Sequence, residues 1–183
     1  YTAFNASLCA ESKVKFQRAA VNTTHSLAFR AVGKLYQHRL GGERMRSAEI
    51  ARILGISSVT LSMGTDQKGE PKSKVLRPDF LAGQVLVAIR KFCQSADREI
   101  NYQHLRYIAG IDAPVSIADP LNFSHDTFRR GNDNNNLVCD YLVPLCRKAW
   151  ADLIRVDGQL PFAHDVYVKI WQLGQGDDRP VIA

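Results

Sequence analysis

Along most of this chain apolar residues recur at three- and four-residue steps, the mark of amphipathic helices. From 11 to 40, Val14, Phe16, Ala19, Ala20, Leu27, Phe29, Ala31, Val32, Leu35 and Tyr36 predict helix in one or two pieces. Asn22-Thr23-Thr24 is placed to end one piece and cap the next, and Gly41-Gly42 to stop the second. Leu81, Val85, Leu86, Val87, Ile89 and Phe92 predict a helix over 79–94, capped by Asp79. Leu137, Val138, Tyr141, Leu142, Leu145, Trp150, Leu153 and Ile154 predict another over 137–155, kinked or divided at Pro144, and a last short element is expected over 162–173. Polar runs at 64–74 and 124–136 separate these elements as loops.

Residues 47–64 have a pattern of their own. Ser47 is placed to cap a short helix, with Glu49 in the first turn where the helix dipole favours an acid. Ile50, Ile53 and Leu54 give that helix an apolar face, and Gly55 ends it where a turn calls for positive φ. Two residues later a second short segment begins, with Val59 and Leu61 apolar. This spacing resembles the helix-turn-helix of DNA-binding transcriptional regulators. In that likeness Ala51 is the small residue at the helix crossing, Ile56 and Leu61 face inward, and Ser57, Ser58, Thr60 and Ser62 point outward. The resemblance implies that 57–63 is a recognition segment lying in the major groove, its hydroxyls reaching base edges or phosphates.

Charge distribution points the same way. Residues 1–80 carry 13 Lys and Arg against 6 Asp and Glu, whereas 131–183 carry 5 against 7. A basic half is either a solvated face or the electrostatic footprint of a nucleic-acid binder, and beside the motif the second reading leads. Arg46, Arg52, Lys68, Lys72 and Lys74 are the expected phosphate contacts. Lys68, Lys72 and Lys74 lie in Gly64–Lys74, which reads equally as a plain linker or as the tip of a small β-wing joining Val59–Met63 to Lys74–Leu76. Small hydroxyls discriminate bases weakly, so DNA shape or a dimeric partner would have to add specificity.

Ala88-Ile-Arg-Lys-Phe-Cys-Gln echoes Ala31-Val-Gly-Lys-Leu-Tyr-Gln, and Ile108-Ala-Gly-Ile echoes Ile53-Leu-Gly-Ile. The pairing reads either as a degenerate internal repeat of the module or as chance likeness between short apolar helices. As a DNA reader the second copy would be decayed, because Asp112 and Asp119 repel phosphate and Pro114 and Pro120 break the segment. Downstream, Gly158-Gln-Leu-Pro-Phe-Ala-His-Asp-Val-Tyr-Val-Lys-Ile-Trp is similar to a stretch of the FlhC-type flagellar master activators, which carry a Gly-x-Leu-Pro-Phe-x-x-Asp run. The likeness spans these fourteen residues and points to bacterial transcription factors; the zinc-binding cysteine cluster of those activators has no counterpart here.

No catalytic constellation emerges. His25, His38, His104, His125 and His164 form no His-x-x-x-His pair, and no phosphate-binding loop, nucleophile elbow or dinucleotide fingerprint occurs. Cys9, Cys93, Cys139 and Cys146 make no Cys-x-x-Cys pair, so buried reduced thiols are expected rather than a zinc site. The Asn-rich run 124–136 lacks the glycine and terminal acid of a calcium loop, while Arg129 and Arg130 are placed to touch phosphate. Asn5, Asn22 and Asn122 head glycosylation tripeptides, which leaves a secreted protein as the lesser alternative to a cytoplasmic one. No apolar run approaches the ~18–20 residues of a membrane span, and a start at Tyr1 rather than Met is what a removed N-terminal segment leaves.

The expected fold is mainly α: a helical bundle with a basic helix-turn-helix module over 1–76, a second helical module over 77–130 and a C-terminal helical portion over 131–183. The expected function is sequence-specific binding of double-stranded DNA in transcriptional regulation, as a homodimer, without enzymatic activity, cofactor or metal. Two alternatives share the features: a nucleic-acid-packaging coat or nucleoid protein, and a protein-interaction module that binds no DNA.

Overall fold

The structure, a computed structural model, describes residues 1–3, 5–111 and 133–174. These are mainly helical and group into two compact units, each assembled from separated stretches of chain. One comprises Tyr1–Arg44, Cys93–Arg98 and the chain from Leu153; the other comprises Met45–Phe92 and Glu99–Asp152. This grouping differs from the three consecutive portions expected at 1–76, 77–130 and 131–183, because residues far apart in sequence complete each core.

In the first unit, strand β1 (Thr2–Ala3) pairs in parallel with β2 (Asn22–Thr23). Helix α1 (Ala6–Lys15) begins earlier than the periodicity suggested, because the Asn5 side chain accepts the Leu8 N–H as a cap. Ala3, Cys9 and Val21 form its small core, whereas Val14 and Phe16, expected inside, are exposed. The helix break expected at Asn22-Thr23-Thr24 is present. Thr23 and Ser26 exchange reciprocal side-chain to backbone hydrogen bonds in a capping box that opens α2 (Thr24–Ala31). A 3-10 helix follows over Gly33–Arg39.

Tyr36 stacks on Phe162, with ring centroids 4.6 Å apart, and the Arg39 guanidinium lies 4.8 Å above the same Phe162 ring. Arg39 also donates to the carbonyls of Leu153, Arg155 and Leu160, and the Tyr36 hydroxyl to that of Ile154. One arginine therefore organises the bend that leads into the last helix described, His164–Gln172. Leu160, Phe162, Val166, Tyr167 and Ile170 are buried, so the stretch 158–171 supplies core to this unit. Lys169 is wholly buried: its Nζ donates to the carbonyls of Ser95 (3.0 Å) and Asp97 (2.6 Å) and to Gln172 Oε1 (3.0 Å). Burial pulls its pKa down, and the neighbouring Cys93 and Asp97 pull it back up.

The second unit holds α3 (Ser47–Leu54), β3 (Val59–Thr65), β4 (Pro71–Leu76), α4 (Pro78–Cys93) and α5 (Asp133–Leu153), which makes His164–Gln172 helix α6. The unit's core sits on α4 and α5, where Leu81, Val85, Ala88, Leu142, Cys146 and Ala149 are buried. Phe92 meets His104 and Trp150 edge-on, at 5.3 and 5.1 Å between centroids. Pro78 occupies the first position of α4, where a missing N–H costs nothing, and Asp79 sits inside the first turn rather than at the cap. Arg46, not Ser47, occupies the N-cap position of α3, and its side chain makes no capping hydrogen bond.

The largest correction concerns 57–63. The second helix of the expected helix-turn-helix is strand β3, antiparallel to β4, with Val59 opposite Leu76, Thr60 opposite Val75, Leu61 opposite Lys74 and Ser62 opposite Ser73. Leu61 is buried between exposed Thr60 and Ser62, which is the alternation of a half-buried strand. The linker-or-wing alternative thus resolves to a β-hairpin. The two Gly-containing boxes also differ in local structure. Ile108-Ala-Gly-Ile follows a 3-10 turn (Tyr102–His104) on irregular chain, while Ile53-Leu-Gly-Ile closes a helix. What they share is a glycine at positive φ, +71° at Gly55 and +73° at Gly110. Asp112, Pro114, Asp119, Pro120, Asn122, His125, Arg129 and Arg130 lie outside the described residues.

Replacing Lys169 with Met would leave three acceptors without their donor, and a loss of about 2–4 kcal/mol is expected by urea denaturation. A change below ~0.5 kcal/mol would mean that the ammonium contributes nothing net. The thiols of Cys93 and Cys146 are pushed up to about 12 from 9.0, foremost by burial. A folded pKa above the unfolded one gives stability that is complete below pH 9 and lost as pH rises through about 12. Native protein near neutral pH should therefore react with a thiol reagent at half-buried Cys139 before Cys93 and Cys146, the order being read by peptide mass mapping.

Candidate nucleic-acid interface

Helix α3 ends as its glycine dictates. With Gly55 at φ +71°, its N–H returns to Arg52 O (3.2 Å) and the N–H of Ile56 to Ala51 O (2.8 Å), the paired bonds of a Schellman turn. Ile50, Ala51, Leu54 and Ile56 are buried, as expected of inward positions, whereas Ile53 is only half-buried. The turn is then gripped from α5 by side chains spaced seven residues apart. Lys148 Nζ donates to Leu54 O (2.8 Å), and the Tyr141 hydroxyl accepts the Ser57 N–H (2.8 Å) while donating to Ser57 O (3.3 Å). Asn134 Nδ2 donates to Ser62 O (2.8 Å) and Ile111 O (2.6 Å). Seven residues are nearly two helical turns, so the three side chains share one stripe of α5. That stripe supplies hydrogen bonds to backbone groups of the turn, of β3 and of Ile111.

Sequence alternation sorts the hairpin into two faces. Thr60 and Ser62 of β3 stand opposite Val75 and Ser73 of β4, and all four are exposed. Lys72 and Lys74 alternate onto the face of Leu61 and Leu76, and Lys74 Nζ donates to Gly110 O at 3.1 Å. Lys68 sits at the tip, where the Asp66 carboxylate accepts the N–H groups of Lys68 (2.8 Å) and Glu70 (2.9 Å).

The structure therefore brings Thr60 and Ser62 onto one surface, adds Ser73 and Val75 to it, and puts Lys72 and Lys74 on the other. Ser57 and Ser58 are exposed in the turn, Arg46 just before α3 and Arg52 in its last turn. Sequence reading missed Ser73 and Val75 because a β4 partner for β3 was one of two options and its register was not visible. It also missed Asn134, Tyr141 and Lys148; their seven-residue spacing is in the sequence, but the groups they bind are not.

Beside β4 a cleft of about 530 Å³ opens between the hairpin, the start of α4 and residues 106–109. Lys74, Arg77 and Arg106 bring positive charge to it, and Phe80 and Tyr107 bring half-exposed rings. Arg77 forms a two-pronged ion pair with Asp79, both contacts being 3.1 Å. Among the described residues no three His, Cys, Asp or Glu side chains converge to hold a metal ion, and no helix is long and apolar enough to cross a membrane.

Tyr141→Phe removes both hydrogen bonds to Ser57 while keeping the ring. A loss of about 1–2 kcal/mol in thermal or urea unfolding is expected, together with faster amide exchange at Ser57. Exchange at Ser57 as slow as in the wild type would show that the hydroxyl does not hold the turn. Set against known proteins, the chain matches no family model, no curated protein and no solved structure.

Proposed function

We propose that this protein binds double-stranded DNA in transcriptional control, with the β3–β4 hairpin rather than a helix as its reading element. The carrying observation is the outward hairpin face, where Thr60, Ser62, Ser73 and Val75 stand together, exposed. The B-DNA major groove admits a two-stranded ribbon as readily as a helix. Hydroxyls donate to or accept from base edges, and the Val75 methyls suit apolar contact with the thymine methyl. Lys68 at the tip, Lys72 and Lys74 on the strand, and Arg46 and Arg52 around α3 supply phosphate contacts that set register. The stretch 44–77 carries seven Lys and Arg against three Asp and Glu, a balance suited to a polyanion. A ribbon of small hydroxyls discriminates weakly, so the reading includes a cytoplasmic homodimer on a palindromic site, which doubles the base contacts.

The test is an anisotropy titration against random duplex and against selected genomic fragments, at two salt concentrations. Thr60→Asp/Ser62→Asp should abolish the preference for selected fragments. Lys68→Glu/Lys72→Glu should weaken binding to all duplexes alike and lower the salt slope by about 0.9 per lost phosphate contact. Equal affinity in wild type and both double variants would reject the hairpin as the interface. Cooperative coating of any duplex would favour a packaging protein instead.

A further inference from the structure

We infer that the cleft beside β4 is a binding site for a nucleoside phosphate, either a free nucleotide or an unpaired nucleotide of a strand. The inference does not rest on duplex binding by the hairpin face: Lys74 and Val75 border both surfaces, but Phe80, Gln84, Arg106 and Tyr107 have no part in that reading. Three properties of the cleft converge on this ligand chemistry.

Its charge is one. Lys74, Arg77 and Arg106 line the cleft, and no Asp or Glu does so among the described residues. Arg77 is partly neutralised by Asp79 and Lys74 is drawn toward Gly110 O, which leaves Arg106, exposed on irregular chain, as the main anchor for a phosphate.

Its aromatic rings are another. Phe80 is 41% and Tyr107 45% exposed, large apolar areas that a protein ordinarily buries. In a cleft with arginines, such rings stack nucleobases, an interaction indifferent to sequence because every base has a π-face. An acidic peptide would use the cations and leave both rings unexplained.

The third is an orphan polar atom. Gln84 lines the same cleft, and its Oε1 is buried without a hydrogen-bond partner among the described residues. Buried polar atoms are nearly always paired, and in a side chain that lines a cleft a turn of the amide toward a bound ligand would supply the missing partner. A glutamine amide is a donor and acceptor pair, suited to the edge of a base. The volume, about 530 Å³, lies within the range of sites for small ligands.

Fluorescence anisotropy of the full chain with a labelled adenine nucleotide, and with a labelled single strand of about 10 nucleotides, tests the inference. Saturable binding of either probe is expected. Saturation by the mononucleotide identifies a free nucleotide as the ligand, and binding of the strand alone identifies an unpaired nucleotide. In either case Arg106→Glu and Tyr107→Ala, both at exposed positions, should each weaken binding about tenfold or more. Gln84→Leu separates a ligand contact from a structural one: it should weaken binding while leaving the melting temperature unchanged or raised, because it removes an unpaired buried amide. Absence of binding by both probes overturns the inference. So does binding that neither Arg106→Glu nor Tyr107→Ala alters.

Discussion

A helix of eight residues leaves about half of its carbonyls without an intrahelical partner, and how α3 meets that deficit governs the rest of its unit. Ala51 and Arg52 carbonyls are taken by the Schellman turn at Gly55, and that of Leu54 by Lys148. Only a residue at ease with positive φ closes this turn without strain, which makes Gly55 the pivot of the arrangement. The chain that leaves the turn is then delivered to α5, where Tyr141 and Asn134 continue the line of hydrogen bonds that Lys148 begins. Turn, strand and long helix are joined by one polar stripe lying beside a buried apolar one.

The same stripe explains why the segment after the turn is extended. Ser57 N–H and O, and Ser62 O, are engaged by α5, while β4 takes the other edge of β3. A helix over 57–63 would direct those groups into its own ladder and leave Asn134 and Tyr141 without their partners. It would also forfeit the pairing with β4. The strand is therefore the conformation in which both edges of a short segment are satisfied, an outcome decided by neighbours far along the chain.

Extended geometry changes what the surface presents. On a helix, Ser57, Ser58, Thr60 and Ser62 would spread over more than one side; on the strand, Thr60 and Ser62 share a face with Ser73 and Val75. The lysines of β4 turn to the other face, and Lys74 reaches the wall of the neighbouring cleft. The hydroxyl-bearing surface and the basic aromatic cleft thus adjoin along β4, whose Lys74, Val75 and Leu76 line the cleft together with residues of α4 and of 106–109.

Much was legible from local pattern alone. The long amphipathic helices follow from apolar periodicity, the break at Thr23 from a capping residue, the end of α3 from Gly55, and the wing alternative from the β-branched Val59 and Thr60. These are decided within a few residues, so the sequence by itself determined them. The state of 57–63 was not, because Ile56 and Val59 fit a helical step while Val59, Leu61 and Met63 fit a strand step. Seven residues are too few for either period to prevail. The tertiary structure decided that segment, the burial of Lys169 beneath Ser95 and Asp97, and the meeting of Arg77 with Arg106 in one cleft. In each case the deciding term is a hydrogen bond or packing contact between residues distant in sequence, whose energy does not exist until the chain has folded.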